Sequence, residues 1–322
     1  MARPRLIVTR KLPEPVEARL RGHFAVAFNP ADEPFSRERL MAAMQAADGL
    51  LPTVTDILDA PVLEAGGRAK VQIVANFGVG VNNIDLRAAE MCGITVTNTP
   101  NVLTDATADI AMALILNVTR RTWEFENMLR SGNWKGFGPL SFLGTGIQGK
   151  TLGIVGMGRI GRAVAQRAYF GFGMRIIYYN RSPVQDTGIP GAVAMSSLDE
   201  VLEESDVVSL HTPGGDMNKH MISHEQLSLM KPTAYLINTA RGDLVDERAL
   251  VNGLVDRTIA GAGLDVYEYE PRVSAVLRRL NNVSLLPHLG SATIETRTAM
   301  GMKAVDNLIA FFDGHTLPDK VV

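Results

Sequence analysis

Three glycines at positions 156, 158 and 161 follow the apolar run Thr151–Val155 directly and open a helical pattern over Ile160–Tyr169. Gly156 permits a tight turn, Gly158 lets the backbone approach a ligand, and Gly161 lets the helix pack closely on the strand. The pyrophosphate of a dinucleotide would then bind at the positive N-terminus of the helix. Strand, turn and helix in this order predict a Rossmann unit that holds a nicotinamide dinucleotide.

Short apolar runs alternate with amphipathic stretches on both sides of this turn, which indicates βα units around parallel sheets. Before residue 100 the predicted strands are Leu6–Thr9, Ala25–Phe28, Gly49–Pro52, Val71–Ala75 and Thr95–Asn98. The helices between them are Pro15–Arg21, Ser36–Ala46, Ala60–Ala65 and Ile84–Met91. After the first Rossmann strand, the predicted strands are Met174–Tyr179, Val207–Leu210, Ala234–Asn238, Ala260–Asp265 and Val283–Leu286. The later helices are Ser197–Glu203, His224–Leu229, Glu247–Gly253 and Thr293–Asp313.

A long helical pattern and a long loop separate the two halves of the chain. The pattern runs from Thr104 to Arg130 and predicts a single helix, and the loop Gly132–Gly149 is rich in glycine and aromatic residues. A loop of about 15 residues inside a compact protein is usually functional or interfacial. Trp134, Phe137 and Pro139 therefore belong either to an arm that forms a dimer or, for the aromatic residues, to ordinary core packing.

The bulk composition narrows the class of protein. A chain of 322 residues that is 46% hydrophobic has enough apolar surface for two domains. A net charge of -2 gives no general attraction to nucleic acid or to an anionic membrane. Cys92 is the only cysteine, so internal disulfides and CxxC metal sites are excluded, and no metal is expected. No signal peptide or membrane span is recognised, so we expect a cytoplasmic protein.

The end of the second Rossmann strand bears on the choice of cofactor. An NAD enzyme usually has an acidic residue there, which accepts a hydrogen bond from the ribose 2′-hydroxyl. This chain has Asn180, Arg181 and Ser182 instead. Arg181 can pair with a 2′-phosphate, and the other two side chains can donate hydrogen bonds to it. The sequence therefore predicts a preference for NADPH, with NAD(H) use as the alternative if Arg181 is only a solvated side chain.

Three further segments place polar groups directly after predicted strands. They contain Arg241, the acids Glu268 and Glu270, and His288. Reduction of a 2-oxo acid by hydride transfer needs a fixed cation for the carboxylate and ketone, which arginine provides. It also needs a proton donor that titrates near neutral pH, which suits histidine, and a carboxylate to hold that histidine protonated. On proximity alone, either acid could be the partner of His288.

Seven stretches now reveal a resemblance, because they occur in the order typical of one family. They are NFGVGVNNID, NTPNVLTDATAD, GIVGMGRIG, LHTP, NTARGDLVD, AGAGLDVYEYEP and LPHLGSAT. Over nearly its whole length the chain resembles the D-isomer-specific 2-hydroxyacid dehydrogenase family, and within that family the glyoxylate/hydroxypyruvate reductases.

The resemblance implies a role for each motif. It makes Arg241 the substrate anchor, Glu270 the partner of the histidine, and His288 the general acid in reduction. It implies that the backbone N–H groups of Val79 and Gly80 bind the substrate carboxylate. It also implies cofactor contacts at Thr107, Gly156, Gly158, Arg159, Ile160, Gly161, Asn180, Arg181, Ser182, His211, Thr212, Pro213, Thr239, Ala240, Asp265, His288 and Gly290.

The family fold implies two α/β domains, one of them discontinuous. Residues 1–99 and 289–322 would form a flavodoxin-like substrate domain, into which a doubly wound Rossmann domain of residues 100–288 is inserted. Closure of a hinge would bring Val79 and Gly80 onto a substrate held by Arg241. A homodimer is expected, and its loop arm could reach the neighbouring active site.

The substrate is the least constrained prediction. The segment from Asp48 to Thr53 resembles one that lines the small end of the pocket in glyoxylate/hydroxypyruvate reductases, so Leu51 is a predicted substrate contact. Glyoxylate or hydroxypyruvate, reduced to the D-2-hydroxy acid, is the first expectation. The alternatives are a D-glycerate, D-lactate or phosphoglycerate type of dehydrogenase, a formate or phosphite dehydrogenase, and a non-catalytic NAD(H)-sensing module. The histidines outside the motifs are expected at the surface: His23, His220, His224 and His315.

Overall fold

The computed structural model of the protein describes residues 3–65 and 70–322. The chain forms two compact units. The discontinuous unit comprises the described residues up to Leu103 together with Ala292–Val322, and the continuous unit is Thr104–Ser291. The boundaries expected from the motifs, at 99 and 288, lie a few residues earlier in each case. Val102 and Leu103 still pack on the core of the discontinuous unit, whereas the amides after His288 are bound to the continuous unit.

The elements follow the predicted alternation to within a residue or two at most boundaries. In chain order the strands are β1 Arg5–Val8, β2 Ala25–Ala27, β3 Gly49–Leu51, β4 Ile73–Ala75, β5 Thr95–Thr97, β6 Thr151–Val155, β7 Arg175–Tyr179, β8 Val193–Ala194, β9 Val207–Leu210, β10 Tyr235–Asn238, β11 Gly261–Leu264 and β12 Val283–Leu285. The helices are α1 Glu14–His23, α2 Arg37–Ala46, α3 Ala60–Glu64, α4 Leu86–Met91, α5 Thr104–Arg120, α6 Thr122–Arg130, α7 Arg159–Gln166, α8 Leu198–Glu204, α9 His224–Leu229, α10 Glu247–Val255 and α11 Ile294–Phe312. The edge strand β8, two exposed residues long, was not predicted.

The discontinuous unit contains a five-stranded sheet with the order β2-β1-β3-β4-β5, in which all neighbours are parallel. This is the flavodoxin-like order, which confirms the predicted fold class. Alternate residues of β1 serve different cores: Leu6 and Val8 pack with α1 and α11, and Ile7 packs with α2 and α3. Both faces of the sheet are therefore covered, as parallel sheets require.

The residues after α11 return to this sheet as an antiparallel segment. Val96 in β5 donates its N–H to the carbonyl of Val322 at 3.1 Å and accepts from the N–H of Val321 at 2.8 Å. The fully buried Asn307 in α11 binds both the side chain and the backbone N–H of Asp319, at 3.0 and 3.1 Å. The tail thus covers the edge of β5, where a row of backbone groups would otherwise be unpaired.

The continuous unit contains a seven-stranded sheet with the order β12-β11-β10-β9-β6-β7-β8, again with parallel neighbours throughout. This order is that of a Rossmann fold with one strand added after the sixth, so the predicted doubly wound domain is confirmed. The strand order reverses between β6 and β9, and ligands of such sheets bind at this switch point, beyond the carboxyl ends of the strands. Every predicted cofactor or catalytic segment from Gly156 onward follows one of these carboxyl ends.

Two apolar cores, one containing Leu210 and Leu236 and the other Ile154 and Ile237, account for the burial of these strands. The first contains apolar residues of α8, α9 and α10, and the second contains those of α5 and α7. Because the strands are buried on both faces, they are continuous apolar runs in the sequence rather than alternating ones.

The expectation of a single helix from Thr104 to Arg130 is wrong, because the helix breaks at Arg121. That residue has a left-handed backbone with φ of 55°, and it separates α5 from α6. The carbonyl of Thr119, free at the end of α5, accepts the N–H of Thr145 at 2.7 Å. The Arg121 guanidinium is bound to Glu124 and to the carbonyl of Leu143, at 2.7 and 3.2 Å. The returning loop therefore supplies the partners that end the helix.

The α6 helix and residues 132–149, which we call the arm, expose apolar side chains. The side chain of Phe137 is 89% exposed and that of Trp134 is 55% exposed, and α6 has no buried residue. Core packing within the chain, the alternative interpretation of these aromatic residues, is therefore wrong. Among the described helices, none is long and apolar enough to cross a membrane.

Candidate functional site

The glycine turn between β6 and α7 has the geometry that its sequence predicts. Gly156 has φ of +96°, and a Cβ there would lie 2.8 Å from the carbonyl carbon of His211. A Cβ on Gly161 would overlap the carbonyl oxygen of Gly156. Around Gly158, in contrast, no described residue other than its chain neighbours lies within 4 Å of the place of a Cβ. Two of the glycines are thus required by the protein itself, and the third faces open space at the start of α7.

The start of α7 leaves its backbone donors available. Gly158 precedes the helix and supplies no side chain to bind the first N–H groups, whereas α8 and α10 begin with Ser197 and Asp246, which do. Before the helix, the N–H of Met157 is bound to Oδ1 of Asn180 at 3.1 Å. The arrangement fits the pyrophosphate of a dinucleotide, which takes hydrogen bonds from such a helix start.

The residues after β7 form the predicted site for the cofactor's ribose. The amide of Asn180 is used by the protein, because it also donates to the carbonyl of Ser182 at 2.7 Å. Arg181 is exposed, as is Ser182, and Arg181 forms no ion pair with any other residue in the described ranges. Asn180 therefore shapes the turn, and Arg181 remains the cation available at this strand end.

The loops after β9 and β10 each carry a side chain that could bind a cofactor, His211 and Thr239. Burial lowers the pKa of His211 to about 3, so its ring is neutral, and Nε2 lies 2.9 Å from the hydroxyl of Ser209. The hydroxyl of Thr239 is buried and has no hydrogen-bond partner among the described residues. A buried hydroxyl without a partner is unfavourable, and a bound ligand would provide one. Thr212 and Pro213 follow His211 in the same loop, with Thr212 Oγ1 3.4 Å from the sulfur of Met221.

Arg241 lies in an extended turn that Asn238 organises. The Asn238 side chain accepts the N–H of Ala240 at 3.0 Å and donates to the carbonyl of Arg241 at 2.8 Å. The guanidinium makes one hydrogen bond within the described chain, from Nη1 to the carbonyl of Ala240 at 2.6 Å. Burial lowers the pKa of Arg241, opposed by the charges of Glu270 and Asp243. Its other N–H donors are available for an anionic ligand.

His288 and Glu270 are joined directly. Nδ1 of His288 lies 2.8 Å from Oε2 of Glu270, and the other carboxylate oxygen accepts the N–H of Tyr267 at 3.0 Å. Burial alone would raise the pKa of Glu270, but the hydrogen bond and charge of His288, the Tyr267 N–H and the charge of Arg241 together lower it. Glu270 is therefore ionised near neutral pH, and Nδ1 must donate the hydrogen bond to it. Nε2 is left free to hold or release a proton.

Asp265 fixes the loop that presents His288. Its two carboxylate oxygens accept the N–H groups of Leu289 and Gly290 at 2.6 and 2.8 Å, and its carbonyl accepts the N–H of His288 at 2.9 Å. His288 itself has a left-handed backbone with φ of 55°. Thr107 donates to the carbonyl of Gly290 at 3.1 Å. Burial raises the pKa of Asp265, opposed by these two amides and by the charge of His288. The Asp265 carboxylate therefore holds the loop of residues 288–290 in place.

Tyr267 is a site residue that the sequence analysis missed. Its hydroxyl donates to the carbonyl of Leu286 at 2.9 Å, and burial raises the pKa of that hydroxyl. A Cβ on Gly242 would overlap the backbone of Tyr267. The residue thus links the segments that carry Arg241, Glu270 and His288. A buried phenol between two predicted site residues was the available signal, since such a hydroxyl needs a partner.

The second acid, Glu268, has a different partner. Its Oε1 lies 2.8 Å from Nε2 of His220. The acid bound to His288 is therefore Glu270 and not Glu268. His220, expected at the surface, has a side chain that is 34% exposed, and its ring is bound to Glu268. The other three histidines outside the motifs are exposed: His23, His224 and His315.

In the discontinuous unit, the turn at Val79 and Gly80 leaves its N–H groups available. The carbonyl of Val79 accepts from the side chain of Asn98 at 2.8 Å, and that of Gly80 from Asn76 at 2.9 Å. Neither N–H has a hydrogen-bond partner among residues 3–65 and 70–322. Leu51, in contrast, is fully buried in the core of this unit. Its prediction as a substrate contact is not supported by an exposed surface.

Comparisons with known proteins agree on one family. The sequence model described as "D-isomer specific 2-hydroxyacid dehydrogenase, NAD binding domain" matches residues 112–290. A glyoxylate reductase of Thermococcus onnurineus is 46% identical over 99% of this chain and 96% of its own length. An NADPH-dependent glyoxylate/hydroxypyruvate reductase from Sinorhizobium meliloti, solved with NADP and malonate, has a TM-score of 0.89 at 39% identity, covering 100% of this chain and 97% of the other. A glyoxylate reductase from Paecilomyes thermophila has a TM-score of 0.88 at 32% identity, covering 100% and 99%.

The glycine turn generates a paired prediction. Gly158→Ala should leave the free energy of unfolding within about 0.5 kcal/mol of the wild type, because its methyl group meets no protein atom. It should weaken the binding of a nicotinamide dinucleotide by about 10-fold or more, because the methyl group occupies the space of the ligand. Gly161→Ala should instead destabilise the protein by about 1–3 kcal/mol through backbone overlap.

Urea unfolding and fluorescence titration with NADH and NADPH measure these effects. Equal destabilisation by the two variants, or normal dinucleotide binding by Gly158→Ala, would contradict the fit of a pyrophosphate to this turn.

Proposed function

Since the chain belongs to the D-isomer specific 2-hydroxyacid dehydrogenase family, we propose that it uses NADPH to reduce glyoxylate to glycolate or hydroxypyruvate to the D-2-hydroxy acid. The coarser function, an oxidoreductase that acts on a 2-oxo acid with a nicotinamide cofactor, follows from family membership. One observation supports the mechanism most directly: His288 is hydrogen-bonded to an ionised Glu270. The two residues follow β12 and β11, and Arg241 follows β10, which neighbours β11.

Arg241 binds the substrate in this mechanism. A guanidinium holds a carboxylate through two parallel N–H donors and can also polarise the adjacent ketone. The half-buried setting of Arg241 strengthens both interactions, because less water competes there. In the discontinuous unit, the backbone N–H groups of Val79 and Gly80, which have no partner among the described residues, are proposed to bind the substrate carboxylate as well.

His288 supplies the proton. A bound nicotinamide cofactor would supply the hydride for the carbonyl carbon. As the C=O double bond becomes a single bond, Nε2 of His288 delivers its proton to the oxygen, so the new hydroxyl group carries no charge. Glu270 keeps Nδ1 protonated throughout, so the imidazole ends neutral in a single tautomer.

The NADPH preference is supported by the charges at the end of β7. Arg181 is exposed there and no carboxylate stands at Asn180 or Ser182, where an acid would repel a 2′-phosphate. The other proposed cofactor contacts are the first turn of α7 at Arg159 and Ile160, the hydroxyl of Thr239, for which the described residues offer no partner, and the loops with His211 and Gly290.

A small substrate is supported by the similarity to glyoxylate reductases over the whole chain. One methylene in an apolar pocket changes the free energy of binding by only about 1–3 kcal/mol, so activity on both acids is expected to overlap. Reduction of pyruvate or of the phosphorylated hydroxypyruvate, as by D-lactate and phosphoglycerate dehydrogenases, is the alternative outcome of a substrate panel.

We also propose a homodimer formed through the arm. Its apolar side chains at Trp134, Phe137, Leu140 and Leu143 are more than half exposed. Contiguous exposed apolar groups of this kind mark interfaces between proteins. A cytoplasmic location, where reduced cofactors are available, stays a prediction.

Turnover tests the proposed function. The protein should oxidise NADPH when glyoxylate or hydroxypyruvate is added, as followed by absorbance. His288→Ala should lower kcat by about 10²–10⁴-fold with cofactor binding intact, because the proton donor is lost. Arg241→Ala should raise KM for the oxo acid as well as lower kcat.

The exposed His315→Ala is the control and should behave like the wild type. Wild-type turnover by His288→Ala would remove it from the mechanism, and no turnover of any 2-oxo acid would refute the proposed reaction.

The charge of Glu270 predicts a pH dependence. Because its pKa is lowered, Glu270 stays ionised, and bound to His288, until the pH falls below the usual range of a carboxyl group. Activity should then be lost as the pH falls far enough to protonate Glu270. Glu270→Gln should lack this acid limb, and its kcat/KM at neutral pH should be lower by about 10²-fold.

The pH profile of kcat/KM for glyoxylate measures the effect, with the exposed Glu225→Gln as the matched control. If the profile of Glu270→Gln coincides with that of the wild type, the Glu270 carboxylate does not assist His288 as the proton donor.

Arg181→Ala tests the cofactor preference. It should reduce kcat/KM for NADPH by about 10-fold or more, since a hydrogen bond between charged groups contributes about 1.5–3 kcal/mol. The value for NADH should change little, because NADH has no 2′-phosphate. Arg175→Ala, at the opposite end of β7, is the control. The preference would be wrong if the wild type used NADH as well as or better than NADPH.

A further inference from the structure

His220 is bound to the segment that follows Arg241. Its backbone N–H donates to the carbonyl of Asp243 at 2.8 Å. The chain then continues alongside this segment, because Ile222 donates to the carbonyl of Leu244 and accepts from the N–H of Asp246, both at 3.0 Å. Residues 220–222 therefore form a short parallel pairing with residues 243–246.

The ring of His220 is bound to the segment that carries Glu270. Nε2 lies 2.8 Å from Oε1 of Glu268, which stands two residues before Glu270. The other oxygen of Glu268 accepts the N–H of Glu247 at 3.2 Å, at the start of α10. The Glu268 side chain is only 9% exposed, against 34% for His220. His220 thus connects the segment of Arg241 with that of Glu270.

The charges determine the direction of this hydrogen bond. Burial alone would raise the pKa of Glu268, but hydrogen bonds from His220, the Glu247 amide and Tyr269 lower it. The carboxylate is therefore ionised and can only accept, so Nε2 of His220 donates.

The same two segments also touch at Gly242, where a Cβ would overlap the backbone of Tyr267. The bond from the N–H of Glu247 to Glu268 is a second contact between them. The bond from His220 holds the Glu268 carboxylate that makes this contact, so it helps to fix the relative orientation of the two segments. His220 has a left-handed backbone with φ of 53°, which is unfavourable for a residue with a Cβ and persists where surrounding contacts hold it.

We propose that His220 and Glu268 are positioning residues that set the separation between Arg241 and the Glu270–His288 pair. This inference rests on the proposed function, in which Arg241 holds the substrate and His288 must reach its ketone oxygen. Displacement of reacting groups by about 1 Å can reduce a rate by about 10²-fold. Cofactor binding at the glycine turn should be independent of the pair, because no hydrogen bond among the described residues joins His220 or Glu268 to this turn.

The experiment compares His220→Ala with His220→Gln. Gln can place an N–H donor near the position of Nε2, so it can restore the bond to Glu268, whereas Ala cannot. We expect His220→Ala to lower kcat/KM for glyoxylate by about 10-fold or more, with a lower kcat and a higher KM for the oxo acid. His220→Gln should recover most of this loss, and the exposed His224→Ala should match the wild type. The Kd for NADPH should be the same in all four proteins.

Activities are measured well below the Tm of each variant. Full activity in folded His220→Ala, or a His220→Gln no better than His220→Ala, would overturn the inference. If His220→Ala does not fold, Glu268→Gln takes its place, because it keeps the shape and the acceptor but removes the charge. Glu268→Gln should lower kcat/KM for glyoxylate by a smaller factor than that expected for His220→Ala. A wild-type kcat/KM in Glu268→Gln would again overturn the inference. An inactive wild type would overturn the proposed function and this inference together, whereas an active one separates the two.

Discussion

Parallel pairing of the seven strands is the constraint on which the site depends. In a parallel sheet every connection must return along the outside, so all the strands end at the same edge. The segments after β6, β7, β9, β10, β11 and β12 therefore meet there, although they are distributed over about 130 residues of the chain. Because the strand order reverses between β6 and β9, the loops on either side of that point diverge and leave room for a ligand. The site residues in these six segments are thus brought together mainly by the backbone hydrogen bonds between strands, and not by contacts between their side chains.

Burial of charge gives this edge its chemical character. Arg241 has lost part of its hydration, and two acids, Glu270 and Asp243, oppose the resulting shift in its pKa. Asp265 is fully buried, and its carboxylate is satisfied by two backbone amides rather than by a cation. Buried charges of this kind contribute little to stability unless their hydrogen bonds are complete. Their value lies in geometry, since a loop held by a carboxylate keeps His288 in a backbone conformation that it would not adopt alone.

Much of this arrangement was predictable from the sequence, and the remainder has physical causes. The glycine turn and the strands have strong local signals, so Gly156, Gly161 and the polar residues after each strand were placed correctly. The break at Arg121 was not predictable, because its cause is the distant N–H of Thr145 and not a local helix breaker. The choice between Glu268 and Glu270 could not be made from spacing, since both follow the same strand and each has a histidine partner. His220 and Tyr267 were missed for the same reason: their roles depend on contacts between segments far apart in the sequence. Leu51 has a local resemblance that suggests a substrate contact, but its side chain is buried in the core.

The division of one unit between both ends of the chain has a consequence for biosynthesis. The continuous unit, Thr104–Ser291, leaves the ribosome as a single stretch and can complete its sheet before translation ends. The discontinuous unit cannot, because α11 supplies Met300, Val305 and Leu308 to the core beneath β1 and β4. Its apolar sheet face, together with the edge of β5, stays uncovered until residues 294–322 emerge. During that interval the nascent chain would be a substrate for a chaperone that binds exposed apolar strands.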